Sequence, residues 1–214
     1  MDQSAEIGRV ITSGACVAEG AEWLSNACPR MAEAYARTAP LPLRLRPQGF
    51  AQLLSAIVSQ QVSVASAKAI WGRVEEAGLH DRSAMAVADD ETLRACGLSR
   101  QKMRYARALA LSDVDFEGLT LLPDGEVIKR LTEITGIGVW TAEIYAKFSL
   151  GRADAFAAGD LALQEGARML YGLHERPTER ELRAMAEAWR PWRSVAARIL
   201  WAYYAEEKRR EGIA

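Results

Sequence analysis

Histidine and cysteine are scarce in this chain of 214 residues, and neither is arranged for metal chemistry. The three cysteines, Cys16, Cys28 and Cys96, are odd in number and far apart, which suits a reducing compartment and offers no ligand spacing. Two histidines, His80 and His174, are too few for a zinc or histidine-based centre. No metal site is expected. No apolar run approaches the roughly 20 residues of a membrane helix, and Met1-Asp2-Gln3-Ser4 lacks the basic-then-apolar order of a secretory signal. A cytoplasmic protein away from membranes is expected. An excess of one charge is missing too: the net charge is −1 and the pI is near 6.2. That argues against coating nucleic acid through bulk charge, but not against a local basic surface. Arg94, Arg100, Lys102, Arg104 and Arg107 fall within fourteen residues, as a basic face or simply a solvated one.

Alternating strand patterns of useful length are also absent, and Ala and Leu abound. What is present is helical spacing. Phe50, Leu53, Leu54, Ile57 and Val58 mark one apolar face. Val127, Ile128, Leu131 and Ile134 mark another, as do Trp192, Val195, Ala196, Ile199, Leu200 and Tyr203. Thr178-x-x-Glu181 is a capping box leading into Leu182, Met185, Ala186 and Trp189. Breaks near Pro40-Leu41-Pro42, 78–82, 113–124, 151–159 and 172–177 divide an all-α chain into about ten helices.

The densest signal is Leu131-Thr-Glu-Ile-Thr-Gly136-Ile137-Gly138-Val-Trp140-Thr141-Ala142, in which one helix ends at Gly-x-Gly and another begins at once. Glycine permits positive φ and close backbone approach. The new helix presents unpaired N–H groups and the positive end of its dipole, a seat for a phosphate. Ile137 can pack inward and stiffen the corner. By itself the motif also fits a merely tight corner. Gly97-Leu98-Ser99, followed by a basic helix, echoes it.

Five ordered blocks carry a resemblance. They are Phe50-Ala-Gln-Leu-Leu-Ser-Ala-Ile-Val-Ser59-Gln60-Gln61-Val62-Ser63, Cys96-Gly-Leu-Ser-Arg-Gln-Lys102, the hairpin from Gly136 to Ala142, Asp154-Ala-Phe-Ala-Ala-Gly-Asp160, and Trp189-Arg-Pro-Trp192-Arg-Ser194 continuing to Trp201. Over about residues 47–204 the chain resembles the helix–hairpin–helix DNA glycosylase superfamily, in particular its alkyl-purine branch of the 3-methyladenine DNA glycosylase II type. The resemblance implies a two-lobed helical fold with its active-site cleft between lobes, one of about 46–150 and one of about 1–45 plus 151–214.

It also assigns roles. Asp160 becomes the catalytic carboxylate, although an aspartate at a helix start is by itself an N-cap; the two roles can coexist. Trp140 stands where bifunctional members carry a Schiff-base lysine, so a monofunctional enzyme is implied. Trp140 and Trp201, with Tyr145 as a further candidate, would line the pocket for the flipped base. Gln61 matches the wedge that fills the vacated stack, with Gln60 as the alternative and Ser63 beside it at the minor groove. Gly136, Ile137, Gly138, Thr141 and Lys102 complete the expected DNA contacts. No cofactor is expected beyond a monovalent cation on hairpin carbonyls. The expected partner is duplex DNA with alkylated bases, met by a monomer, at the nucleoid if the source is bacterial. Gly159 departs from the family, where an acidic residue is frequent. The four-cysteine iron–sulfur loop of other members is absent, and the first 45 residues are too short for the β domain that some carry. A non-catalytic helix–hairpin–helix module is the alternative.

Overall fold

Helices that bury small residues can approach closely, and that choice organises the C-terminal half of the chain. A computed structural model describes residues 7–210, which hold twelve α-helices, two short 3-10 helices and no strand. The described helices exceed the expected ten, and two of them are six-residue helices capped by Asp81 and Asp89. No helix among the described residues is long and apolar enough to cross a membrane. The chain forms two compact units, residues 1–45 with 146–214, and residues 46–145.

The first unit contains α1 (Gly14–Ala27), α2 (Pro29–Thr38), and, after the intervening unit, α10 (Leu161–Tyr171), α11 (Glu179–Met185) and α12 (Arg193–Arg210). Seven consecutive residues of α12, Ser194 to Leu200, are buried, as for a helix enclosed on all sides. Its neighbours are α1, α2 and α10. Two glycines permit this: a Cβ on Gly20 of α1 would lie 2.6 Å from the Trp192 ring, and one on Gly166 of α10 would lie 2.8 Å from the Leu200 carbonyl. Gly166→Ala should therefore destabilise the protein by about 1–3 kcal/mol, because a main-chain oxygen cannot swing away as a side chain would; thermal unfolding measures it. The capping box at Thr178 forms with both bonds in place, and the helix tightens to a 3-10 turn at Ala186–Trp189. Residues 9–11 run antiparallel to 151–153, through Ile11 N–H to Gly151 O at 2.6 Å and Ala153 N–H to Arg9 O at 3.0 Å.

The second unit contains α3 (Phe50–Ser59), α4 (Val64–Glu76), α5 (Arg82–Val87), α6 (Asp90–Ala95), α7 (Arg100–Ala110), α8 (Asp124–Thr132) and most of α9 (Val139–Phe148). The apolar face of α3 is wholly buried, with Leu54, Ile57 and Val58 at 0% exposure, and α3 packs on α4 and α7. Of the five basic residues read as a basic face or a solvated one, several have local partners. Arg94 and Arg107 both pair with Asp90, at 3.3 and 2.7 Å, and the Arg104 guanidinium lies 5.5 Å from the Tyr105 ring centre.

Candidate active site

The loop from Asp154 to Asp160 is fixed from both ends. Asp154 is gripped by the fork of Arg193 at 2.8 and 2.9 Å, a bidentate pair that ties the loop to the start of α12. Ala155 to Ala158 are buried, and buried Gln164 donates to the Ala158 carbonyl at 2.9 Å. The loop therefore delivers Asp160 to the N-terminus of α10 in one orientation. Its Oδ1 accepts from Ala162 N–H at 2.9 Å, Leu163 N–H at 3.1 Å and the Trp201 indole N–H at 3.2 Å. Asp160 is thus an N-cap, half-buried, and is also held by a side chain from α12. Leu161, immediately after it, is 61% exposed, which leaves an apolar surface beside the carboxylate.

Trp201 does not stand alone. Phe148 stacks on it, with ring centres 5.6 Å apart and planes 18° off parallel. The Lys147 ammonium lies 3.9 Å from the Trp201 ring centre, and Lys147 is fully buried. Nothing in the sequence marks Lys147: a lysine in the last turn of a helix reads as a solvated charge at the negative end of the dipole.

In the second unit the hairpin connects α8 to α9. Gly136 has φ +100°, and a Cβ there would lie 2.4 Å from Cγ of Tyr105. Ile137 is 4% exposed, so it anchors the corner inward. Gly138 faces open space, and Val139 and Trp140 at the start of α9 are each 48% exposed. The corner thus offers main chain and one indole outward. Gly97 and Leu98 repeat the scheme, with φ +89° and 4% exposure, before Ser99 caps α7. The hairpin carbonyls of Ile134, Gly136 and Gly138 each accept one hydrogen bond. A carbonyl has two lone pairs, so these could still hold a monovalent cation.

The two glutamines divide their work. Gln60 Nε2 donates to the Gly136 carbonyl at 3.0 Å, which ties the end of α3 to the hairpin. Gln61 is exposed with φ +55°, a left-handed conformation uncommon outside glycine. Ser63 caps α4 by accepting from Ser66 N–H at 3.2 Å, and Val64 beside it is 88% exposed. Gln61 is therefore the residue placed to project, and Gln60 the one that braces. Gln61→Ala should lower affinity for lesion-bearing duplex with an unchanged melting temperature, whereas Gln60→Ala should also lower the melting temperature, by about 2–4 °C per kcal/mol lost; binding and melting curves on both variants separate the two.

Three of the expected contacts turn inward. Tyr145 is 3% exposed and its hydroxyl accepts from Gly49 N–H at 2.8 Å, so its ring offers no face to a base and instead braces the start of α3. Lys102 is 8% exposed and its ammonium donates to the Val58 carbonyl at 2.6 Å; burial lowers its pKa, and it closes the C-terminal turn of α3. The Thr141 side chain is likewise buried at 8%, leaving only main chain for a contact. Sequence spacing places these residues on the right elements but cannot say which way a lysine, threonine or tyrosine turns.

The family follows from comparison with known proteins. The model of the HhH-GPD superfamily base excision DNA repair protein matches residues 54–192. The chain belongs to that superfamily. DNA-3-methyladenine glycosylase 1 of Schizosaccharomyces pombe is 33% identical over 161 residues, covering 71% of each chain. Among solved structures, DNA-3-methyladenine glycosidase from Bacillus halodurans superposes with a TM-score of 0.71 at 36% identity, covering 84% of this chain and 92% of the other. The S. pombe 3-methyladenine DNA glycosylase in complex with abasic DNA gives 0.73 at 29% identity, covering 86% and 95%. The all-α reading of the sequence agrees with this family fold.

Proposed function

We propose that this superfamily member is a monofunctional DNA glycosylase that hydrolyses the N-glycosidic bond of alkylated purines in duplex DNA, leaving an intact abasic site. The observation that carries this reading is Asp160, half-buried and oriented through Oδ1 by two helix N–H groups and the Trp201 indole. Cleavage of the N-glycosidic bond develops positive charge on the sugar. A fixed carboxylate stabilises that charge and orients or deprotonates the attacking water.

The second unit carries the other candidate DNA contacts. Main-chain N–H groups at the start of α9, beside the open Gly138, would receive a backbone phosphate. A monovalent cation on the hairpin carbonyls would add positive charge there. Gln61 would fill the stack left by the extruded base. Trp140 offers an exposed indole face to the base, worth about 0.5–2 kcal/mol for a cationic ring. A single copy suffices, since every group named comes from one chain.

Monofunctional chemistry follows from where the amines are. A Schiff base needs an accessible lysine, and Trp140 stands at the position that supplies one in bifunctional members. Lys147 is sealed beneath Trp201, and Lys102 is engaged with a main-chain carbonyl. Incubating methylated duplex with the protein, then assaying free base and strand breaks separately, tests both halves. Release of 3-methyladenine or 7-methylguanine with strands intact is the expected result. No release would leave a non-catalytic DNA-binding module, and breaks without added base or heat would identify a lyase.

A further inference from the structure

One stretch of chain, from Trp189 to Trp201, holds the 154–160 loop at its start, its middle and its end. At the start Arg193, the first residue of α12, grips both oxygens of Asp154, and the neighbouring Ser194 N–H donates to the Ala153 carbonyl at 2.8 Å. In the middle Phe156 packs edge-on against Trp189, in the 3-10 turn that leads to α12, with ring centres 5.6 Å apart. At the end the Trp201 indole N–H reaches Asp160 at 3.2 Å. Arg193 and Trp201 stand about 12 Å apart along the axis of α12. All of these groups belong to the first unit.

The three anchors differ in kind. The middle one is apolar and buried, and resists sliding only through shape. The last is a single bond from a ring edge. The first is ionic and directional, because a guanidinium fork on a carboxylate fixes distance and plane together. It is also reinforced. Arg190 reaches Asp154 at 3.1 Å, and Glu187 takes another nitrogen of Arg193 at 2.8 Å. Two guanidiniums thus meet two carboxylates, and the side chains of Arg193 and Asp154 are only 16% and 17% exposed, so water competes weakly for the pair. A carboxylate that must meet a developing charge has to be held to within about 0.5 Å, by groups that are themselves locked in place. If the fork loosens, the loop can shift along α12. Asp160 then still caps α10, but at a changed distance and angle to Trp201 and to the sugar.

We propose that Arg193 is a positioning residue: through Asp154 and the loop it sets the register of Asp160 against α12, and so governs the rate of base release rather than the affinity for DNA. This rests on the glycosylase reading above, with Asp160 as its carboxylate.

Single-turnover release of 7-methylguanine from methylated duplex, measured over a range of protein concentrations, tests it. Arg193→Met should lower the maximal rate by roughly ten- to hundredfold, the scale of a misplaced reacting group, with the half-saturating protein concentration within about twofold of wild type. Arg193→Lys, which keeps the charge and can make one of the two bonds, should recover part of that rate. In the Asp160→Asn background Arg193→Met should cost little more, because the carboxylate it positions is gone. An equal fractional loss in both backgrounds overturns the proposal, as does an unchanged maximal rate in Arg193→Met. If Arg193→Met melts too low to assay, Asp154→Asn, which leaves one oxygen for the fork, carries the same expectations and the same overturning results. No release by the wild type would instead fail the glycosylase reading itself, and this inference with it.

Discussion

Replacing Asp160 with asparagine should lower base release from methylated duplex by roughly two to three orders of magnitude, the usual cost of removing one preorganised electrostatic group at a developing charge. The fold should survive. Asparagine caps helices about as well as aspartate, and its own Oδ1 can accept the same bonds from Ala162, Leu163 and Trp201. Only the negative charge and the second carboxylate oxygen are lost. Asp160→Ala would remove cap and chemistry together, at about 1 kcal/mol of stability, so the asparagine variant isolates function. Free-base release with a melting curve on the same preparation checks both. Activity retained within a few fold would reduce Asp160 to its capping role.

The second large effect is on the hairpin. Gly136→Ala should destabilise the protein by about 2–5 kcal/mol, from overpacking together with a left-handed backbone forced on an L side chain. The new Cβ would fall 2.4 Å from Cγ of Tyr105 at φ +100°, and the ring cannot simply withdraw. Tyr105 lies on α7, and Gln101 on the same helix donates to its hydroxyl at 2.6 Å. At about 2–4 °C per kcal/mol in a protein of this size, the melting temperature should fall by roughly 5–15 °C. Gly138→Ala is the companion. Nothing lies within 4 Å of its Cβ position and its φ is not positive, so the melting temperature should hold while affinity for duplex DNA falls. Two glycines two residues apart thus have different duties: Gly136 lets the hairpin close on its own unit, and Gly138 keeps the outer face clear.

The sequence by itself determined the helical class, the hairpin and the place of Asp160 at a helix start. Each rests on short-range rules: apolar residues three and four apart, a Gly-x-Gly between helices, and an acidic residue at a helix start. The capping box at Thr178 formed as read because its partners are three residues apart. Only the tertiary structure decided which way side chains turn. Gln60 and Gln61 are chemically identical neighbours, and only a carbonyl 76 residues away makes one a brace and leaves the other to project. Lys102 reads as part of a basic face until α3 covers it and the Val58 carbonyl takes its ammonium. Tyr145 reads as a pocket aromatic until Gly49 donates to its hydroxyl. Lys147 gives no signal at all, since it is buried against Trp201, 54 residues away. Local propensity and periodicity are written into neighbouring residues. Burial and pairing depend on which distant segments meet, and that is settled only when the chain packs.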